Sequence, residues 1–195
     1  PIPVRLHRPL QTFAGIALAK ANWPLRPPSA VAESTSTHAK QNMKAQPMGK
    51  TVASCLAFPR VTTSLIDDYS DILMRELTRS VITDSQADTP SLRQLTMQPY
   101  YVGKFGNDRA RLSQLHKLSN CLGSDAMQRG PLRQLMTLLH YSPLEAERAY
   151  KRLKDNLENA ADQTSWTSLK DCLQQLGVNA NDDLPFCYDE TQWVT

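Results

Sequence analysis

Glycine is scarce in this chain, 7 residues in 195. That argues against a Gly-rich nucleotide-binding sheet protein and against a collagen-like or linker-only chain. Long apolar runs are missing too. None approaches the roughly 18 uncharged residues that suggest a membrane-crossing helix, and the run Phe13–Ala19 is far too short. The four cysteines, Cys55, Cys121, Cys172 and Cys187, make no C-x-x-C pair, and no histidine stands at zinc-ligand spacing. With no disulfide framework implied, a reducing, intracellular compartment is the default. The chain also carries no Asn-x-Ser/Thr acceptor.

Acid is nearly absent from the first third. Residues 1–66 hold eight Lys/Arg against Glu33 alone, a net of +7. The remainder holds 14 basic and 18 acidic side chains, a net of −4. A basic arm on a mildly acidic body is drawn to anionic surfaces such as RNA, acidic lipid or an acidic protein. The arm also has the composition of a mitochondrial transit peptide: Arg-bearing, Ser/Ala-containing and almost acid-free.

Eight of the 13 prolines fall between Pro1 and Pro59, too many for a long helix. Residues 1–62 therefore read as an extended basic arm, with a polar, pattern-free stretch from Ser34 to about Lys50. Such an arm buries too little apolar surface to offset its ordering entropy, so companions are expected to hold it.

Helical patterning begins at Thr63-Ser64. Leu65, Ile66, Tyr69, Ile72, Leu73, Leu77 and Val81 share one face, which predicts a helix over 64–83 with Asp67 and Asp68 at the positive end of its dipole. A short helix is expected near Ser91–Met97, and Tyr100-Tyr101-Val102 reads as an extended piece without a partner strand. Next comes a helix from Asp108 to Gly123, with Leu112, Leu115, Leu118 and Leu122 inward. Pro131 opens another, with the stripe Leu132, Leu135, Met136 and Leu139. Ser142-Pro143-Leu144-Glu145 is the clearest local signal, an N-cap serine followed by proline and by glutamate three residues on. Its helix buries Ala146, Ala149, Tyr150, Leu153 and Leu157. The last helix runs from Trp166 to Leu176, stopped by Gly177. The expected fold class is all-α: a small multi-helix domain (63–178) preceded by a long extended basic N-terminal arm (1–62) and followed by an acidic tail (179–195).

Chemistry-bearing motifs are weak. Met48-Gly49-Lys50-Thr51 ends like a P-loop, but position 44 is Lys44 where glycine is needed. Gly103-Lys104-Phe105-Gly106 matches a nucleic-acid clamp loop, without the sheet that loop requires. Asn179, Asn181, Asp183 and Glu190 fall at calcium-loop positions, yet Leu184 replaces the turn glycine. No catalytic, cofactor-binding or metal-ligating residue is assigned. His116 reads as core-facing or capping, and His140 suits the negative end of its helix.

The expected function is therefore a non-catalytic accessory subunit of a large multi-protein assembly, with a mitochondrial respiratory complex, ATP synthase or ribosome as host. The arm would pin neighbouring protein subunits through Phe13, Trp23, Leu56 and Phe58, with Arg5, Arg8, Lys20 and Arg26 supplying charge. RNA and anionic lipid are further candidate partners of the arm. The alternatives are an RNA-binding ribosomal protein, whose affinity would fall steeply with salt, and a cytoskeletal or ciliary filament-lining protein.

Overall fold

A computed structural model describes residues 12–24, 26–44, 54–63, 66, 68–81, 91–103, 110–124, 127–159, 164–182 and 188–189. The P-loop-like stretch, Arg5, Arg8, Cys187 and half of the calcium-like loop, Asp183 and Glu190 included, lie outside them. The fold is mixed rather than all-α. Among the described residues six helices stand with two small three-stranded sheets, which corrects the expectation of a helical body behind an extended arm.

The correction begins in the first third. Strand β1 (Phe13–Gly15) is followed by α1 (Arg26–Lys44), a 19-residue helix, and by β2 (Ser54–Ala57). The prolines do not forbid α1, because Pro27 and Pro28 occupy its first turn. Backbone N–H groups there lack intrahelical partners in any case. The buried stripe of α1 is Val31, Thr35, Ala39 and Met43, every fourth residue. Two of these are small and one is polar, so the stripe is nearly invisible to hydropathy. Thr35 is fully buried and donates to the Val31 carbonyl at 2.6 Å, which satisfies its hydroxyl inside the helix.

The helix packs on β1 and β2, where Ala39 and Met43 meet Phe13, Cys55 and Ala57, while Val31 joins a second cluster with Val61, Ile66, Tyr69 and Ile72. β1 pairs in parallel with β2, and β2 pairs antiparallel with β5 (Tyr100–Val102), placing Cys55 opposite Tyr101. The extended piece at Tyr100 thus has a partner after all, supplied by the segment read as arm. Alternation along β5 joins the two halves of the molecule. Tyr101 is buried with Ala39, Met43, Cys55 and Ala57, whereas Tyr100 enters the helical core.

The expected helix over 64–83 is three different things. α2 is a single turn, Tyr69–Ile72, capped by Asp68, whose carboxylate accepts from Ser70 N at 2.7 Å. A π-helical turn follows at Leu73–Leu77, and the chain then straightens into β3 (Thr78–Val81). Thr78 ends the winding by donating its hydroxyl to the Leu73 carbonyl at 2.8 Å. β3 pairs antiparallel with β4 (Ser91–Gln94), in the place of the expected helix near Ser91, and β4 pairs with β6 (Tyr188–Asp189).

The C-terminal helices stand where their local signals put them, except that α3 begins after Arg111, its N-cap, and not at Asp108. They are α3 (Leu112–Leu122), α4 (Arg129–Tyr141), α5 (Pro143–Glu158) and α6 (Thr164–Gln175). Ser142 Oγ accepts from Glu145 N at 3.4 Å, with Pro143 in the first turn of α5. Gly123 caps α3, and Gly177, at φ 80°, follows α6. The main core gathers Leu135 and Leu139 with Ala146, Tyr150, Leu153, Leu157, Trp166, Leu169 and Leu173. Tyr150 donates its hydroxyl to the Ala180 carbonyl at 2.6 Å, which anchors the chain beyond α6.

Candidate docking groove

Helices α3 and α4 and the segment Leu95–Tyr100 enclose an open cavity of about 560 Å³. α3 supplies Leu115, Leu118 and Leu122, one turn apart along one face. α4 supplies Leu132, Leu135, Met136 and Leu139, and Leu95, Met97 and Tyr100 close the floor. Tyr100 stacks on Phe58 with ring centroids 5.5 Å apart. Burial pushes the Tyr100 phenol up to about 12, against the opposing pull of a backbone hydrogen bond at Met97, so it stays neutral.

The lip of the groove is cationic. Arg129, Arg133, Met136 and His140 follow one another along α4 at intervals of three and four residues, and so share a face. All four are exposed, Met136 by 65%. Sequence patterning turned Met136 inward with its leucine neighbours; instead it stands at the rim. Arg79 reaches across from β3, donating Nε–H to the His140 carbonyl at 2.9 Å. Among the described residues no acidic side chain lines the groove. An apolar floor with a lip of one sign accepts an amphipathic ligand carrying negative charge.

A second depression, about 760 Å³, lies along Tyr101–Gly103 and the α3 residues Leu112, Ser113, Leu115, His116 and Ser119. Among the described residues that line it none is Asp, Glu, Lys or Arg. His116 is exposed there and faces the Asn120 amide at 3.3 Å, so it does not enter the core.

The residues assigned to arm anchoring do not converge on one surface. Phe13 is half-buried in β1, with Lys40 Nζ 5.3 Å from its ring centroid. Trp23 packs on the cluster of Val31, Val61, Ile66, Tyr69 and Ile72, and Lys20 Nζ sits 5.9 Å from its ring centroid. Leu56 is half-buried in β2, and Arg26 is exposed at the start of α1. Phe58 N–H donates to Gln98 Oε1 at 2.8 Å, tying β2 to the segment that floors the groove. What sequence reasoning missed is the groove. Its signal was present in the Arg129, Arg133, Met136, His140 spacing, but only the seating of α4 on α5, across the groove from α3, separates rim from core.

Cys55 is neither paired nor exposed. Its thiol donates to the Ala39 carbonyl at 3.6 Å, and burial pushes it up. Among the described residues no group of three or more His, Cys, Asp or Glu side chains is placed to hold a metal ion. No helix among the described residues is long and apolar enough to cross a membrane. Asn179 and Asp182, at the start of the calcium-like loop, bond to each other at 2.9 Å. No protein-family model matches this chain, and no curated protein matches it.

Proposed function

We propose that the chain is a non-catalytic accessory subunit of a multi-protein assembly that holds an acidic amphipathic helix of a neighbouring subunit in the α3–α4 groove. One observation carries this reading: a leucine-lined trough about 560 Å³ in volume whose charged rim groups, among the described residues, are all basic. A helix laid in such a trough buries leucine-type anchors at i, i+3/i+4 and i+7 and sets its own acids against Arg129 and Arg133. Rim ion pairs of this kind steer and select more than they stabilise, so salt weakens the association. A mitochondrial host is supported by the acid-poor composition of residues 1–66 alone.

The test is site-specific photo-crosslinking in cells, with the reactive group at position 136 and, as a control, at exposed Lys151. The expected result is one dominant adduct at 136 whose crosslinked peptide is acidic with apolar residues at helical spacing. Arg129→Glu with Arg133→Glu abolishes it. Equal labelling at the control position, or an adduct indifferent to charge reversal, overturns the reading. Exclusion of the tagged full chain from mitochondria removes the proposed host without touching the groove.

A further inference from the structure

Cys121 and Cys172 belong to different helices and lie 51 positions apart in sequence. α3 and α6 pack against each other, with the start of α3 beside the end of α6. At the start of α3, the Gln114 side-chain amide donates to the Gln175 carbonyl at 2.5 Å, and Lys117 Nζ donates to Gln175 Oε1 at 3.2 Å. One turn beyond Lys117 stands Cys121; one turn before Gln175 stands Cys172. The register of the two helices therefore places the two thiols beside each other, near enough for the Cys172 sulfur to help push the Cys121 thiol up. Both are half-buried against the main core, and both are free thiols. A solitary core cysteine is inert packing. Two brought together across a helix interface, partly open to solvent, form a site.

We infer that Cys121 and Cys172 are a dithiol pair that closes to a disulfide by exchange with a low-molecular-weight disulfide of the glutathione class, locking α3 to α6. This inference does not depend on the proposed docking function. The Cys172 thiolate attacks one sulfur of the small disulfide. That S–S bond breaks, the first small thiolate leaves and takes up a proton, and a mixed disulfide remains on Cys172. Cys121 then loses its proton to solvent and attacks the Cys172 sulfur, expelling the second small thiol. In balance, two protein thiols are oxidised and one small disulfide is reduced to two thiols.

Cys121 has the character of the resolving partner. Burial and the neighbouring sulfur push its thiol up. It also sits in the last turn of α3, at the negative end of the helix dipole, where its carbonyl already accepts from Ser124 Oγ at 2.7 Å. Because α3 carries one wall of the groove, the bond fixes that wall to α6. In a reducing compartment the pair is open, and it responds when the ratio of oxidised to reduced glutathione rises.

The test uses the full-length chain in glutathione buffers of increasing oxidised fraction, quenched with acid, alkylated and mapped by mass spectrometry. The expected product is a peptide joining Cys121 to Cys172, dominant over every other pairing, with a rise in melting temperature that dithiothreitol reverses. In urea the preference disappears, because the fold selects the pair. In Cys121→Ser the mixed disulfide accumulates on Cys172. Absence of the joined peptide at every ratio, or the same mixture of pairings with and without urea, overturns the inference. The mapping is read on the wild-type chain, so it does not depend on a variant folding.

Discussion

Replacing Gly15 by alanine tests how β1, α1 and β2 are held to the rest of the molecule. β1 runs so close under α1 that a Cβ on Gly15 would lie 2.9 Å from Ser36 Cα and nearer still to Ser36 N and the Ala32 oxygen. All three are backbone atoms, so no side chain can rotate to make room. Strand β1 cannot retreat either, because Cys55 N–H donates to the Thr12 carbonyl and Ile16 N–H to the Ala57 carbonyl, at 3.0 and 2.9 Å. α1 must therefore lift by about 1 Å, which opens gaps beside Ala39 and Met43. Overpacking with partial collapse elsewhere costs about 1–3 kcal/mol, and rigid neighbours place Gly15→Ala at about 3 kcal/mol. Against a total of about 5–15 kcal/mol for a domain, that is a large fraction. Gly130→Ala is the internal control. Nothing lies within 4 Å of a Cβ there, in the first turn of α4. The same chemical change should stabilise by about 0.5–1 kcal/mol through helix propensity. Urea unfolding of both variants, with amide exchange across α1, measures the contrast. A Gly15→Ala variant within about 0.5 kcal/mol of wild type, the usual range for a neutral surface change, with unchanged α1 protection, would refute the close approach.

Tyr69 is 1% exposed and its hydroxyl has no hydrogen-bond partner among the described residues, so Tyr69→Phe removes a group unsatisfied among them. Its stability should be unchanged or raised by about 1 kcal/mol; a clear loss in chemical denaturation would mean the hydroxyl is bonded. His38 packs edge-on against Tyr69 at 4.9 Å, its Nε2 lies 3.0 Å from the Asn42 amide, and burial pulls its pKa below 6.5. The unfolded chain then binds the extra proton first, so this contribution to stability is whole above pH 6.5 and is lost as pH falls below it, toward the folded value. A proton NMR titration of the His38 ring should show a midpoint below 6.5, and His38→Gln should flatten the decline in stability between pH 7 and 5. A midpoint at or above 6.5 sinks the argument.

The helices α3 to α6 were legible because each carries its own punctuation. Ser142 and Pro143 open α5, Gly123 and Gly177 close their helices, and the leucines recur at helical spacing. The segment 64–83 misled because Leu73, Leu77 and Val81 continue a helical period that the chain abandons. Pairing with β4 outweighs the local preference from Thr78 onward, and no local signal announces a partner that begins ten residues later. The groove was half legible: the basic stripe of α4 stands in the sequence, but which of Leu135 and Met136 faces in depends on how α4 seats on α5.

By itself the sequence determined four helices with their caps, the separation of basic from acidic halves, and the absence of a membrane-length apolar run. These are local properties, set by spacing and side-chain chemistry within a few turns. Only the tertiary structure decided that β1, α1 and β2 form a folded layer. Val31, Thr35, Ala39 and Met43 become a core stripe because Gly15 lets a strand lie directly on their helix, and β2 finds its second neighbour in β5, over forty residues away. Small and polar residues show their worth only against a close-fitting partner, and no period within the chain records that fit.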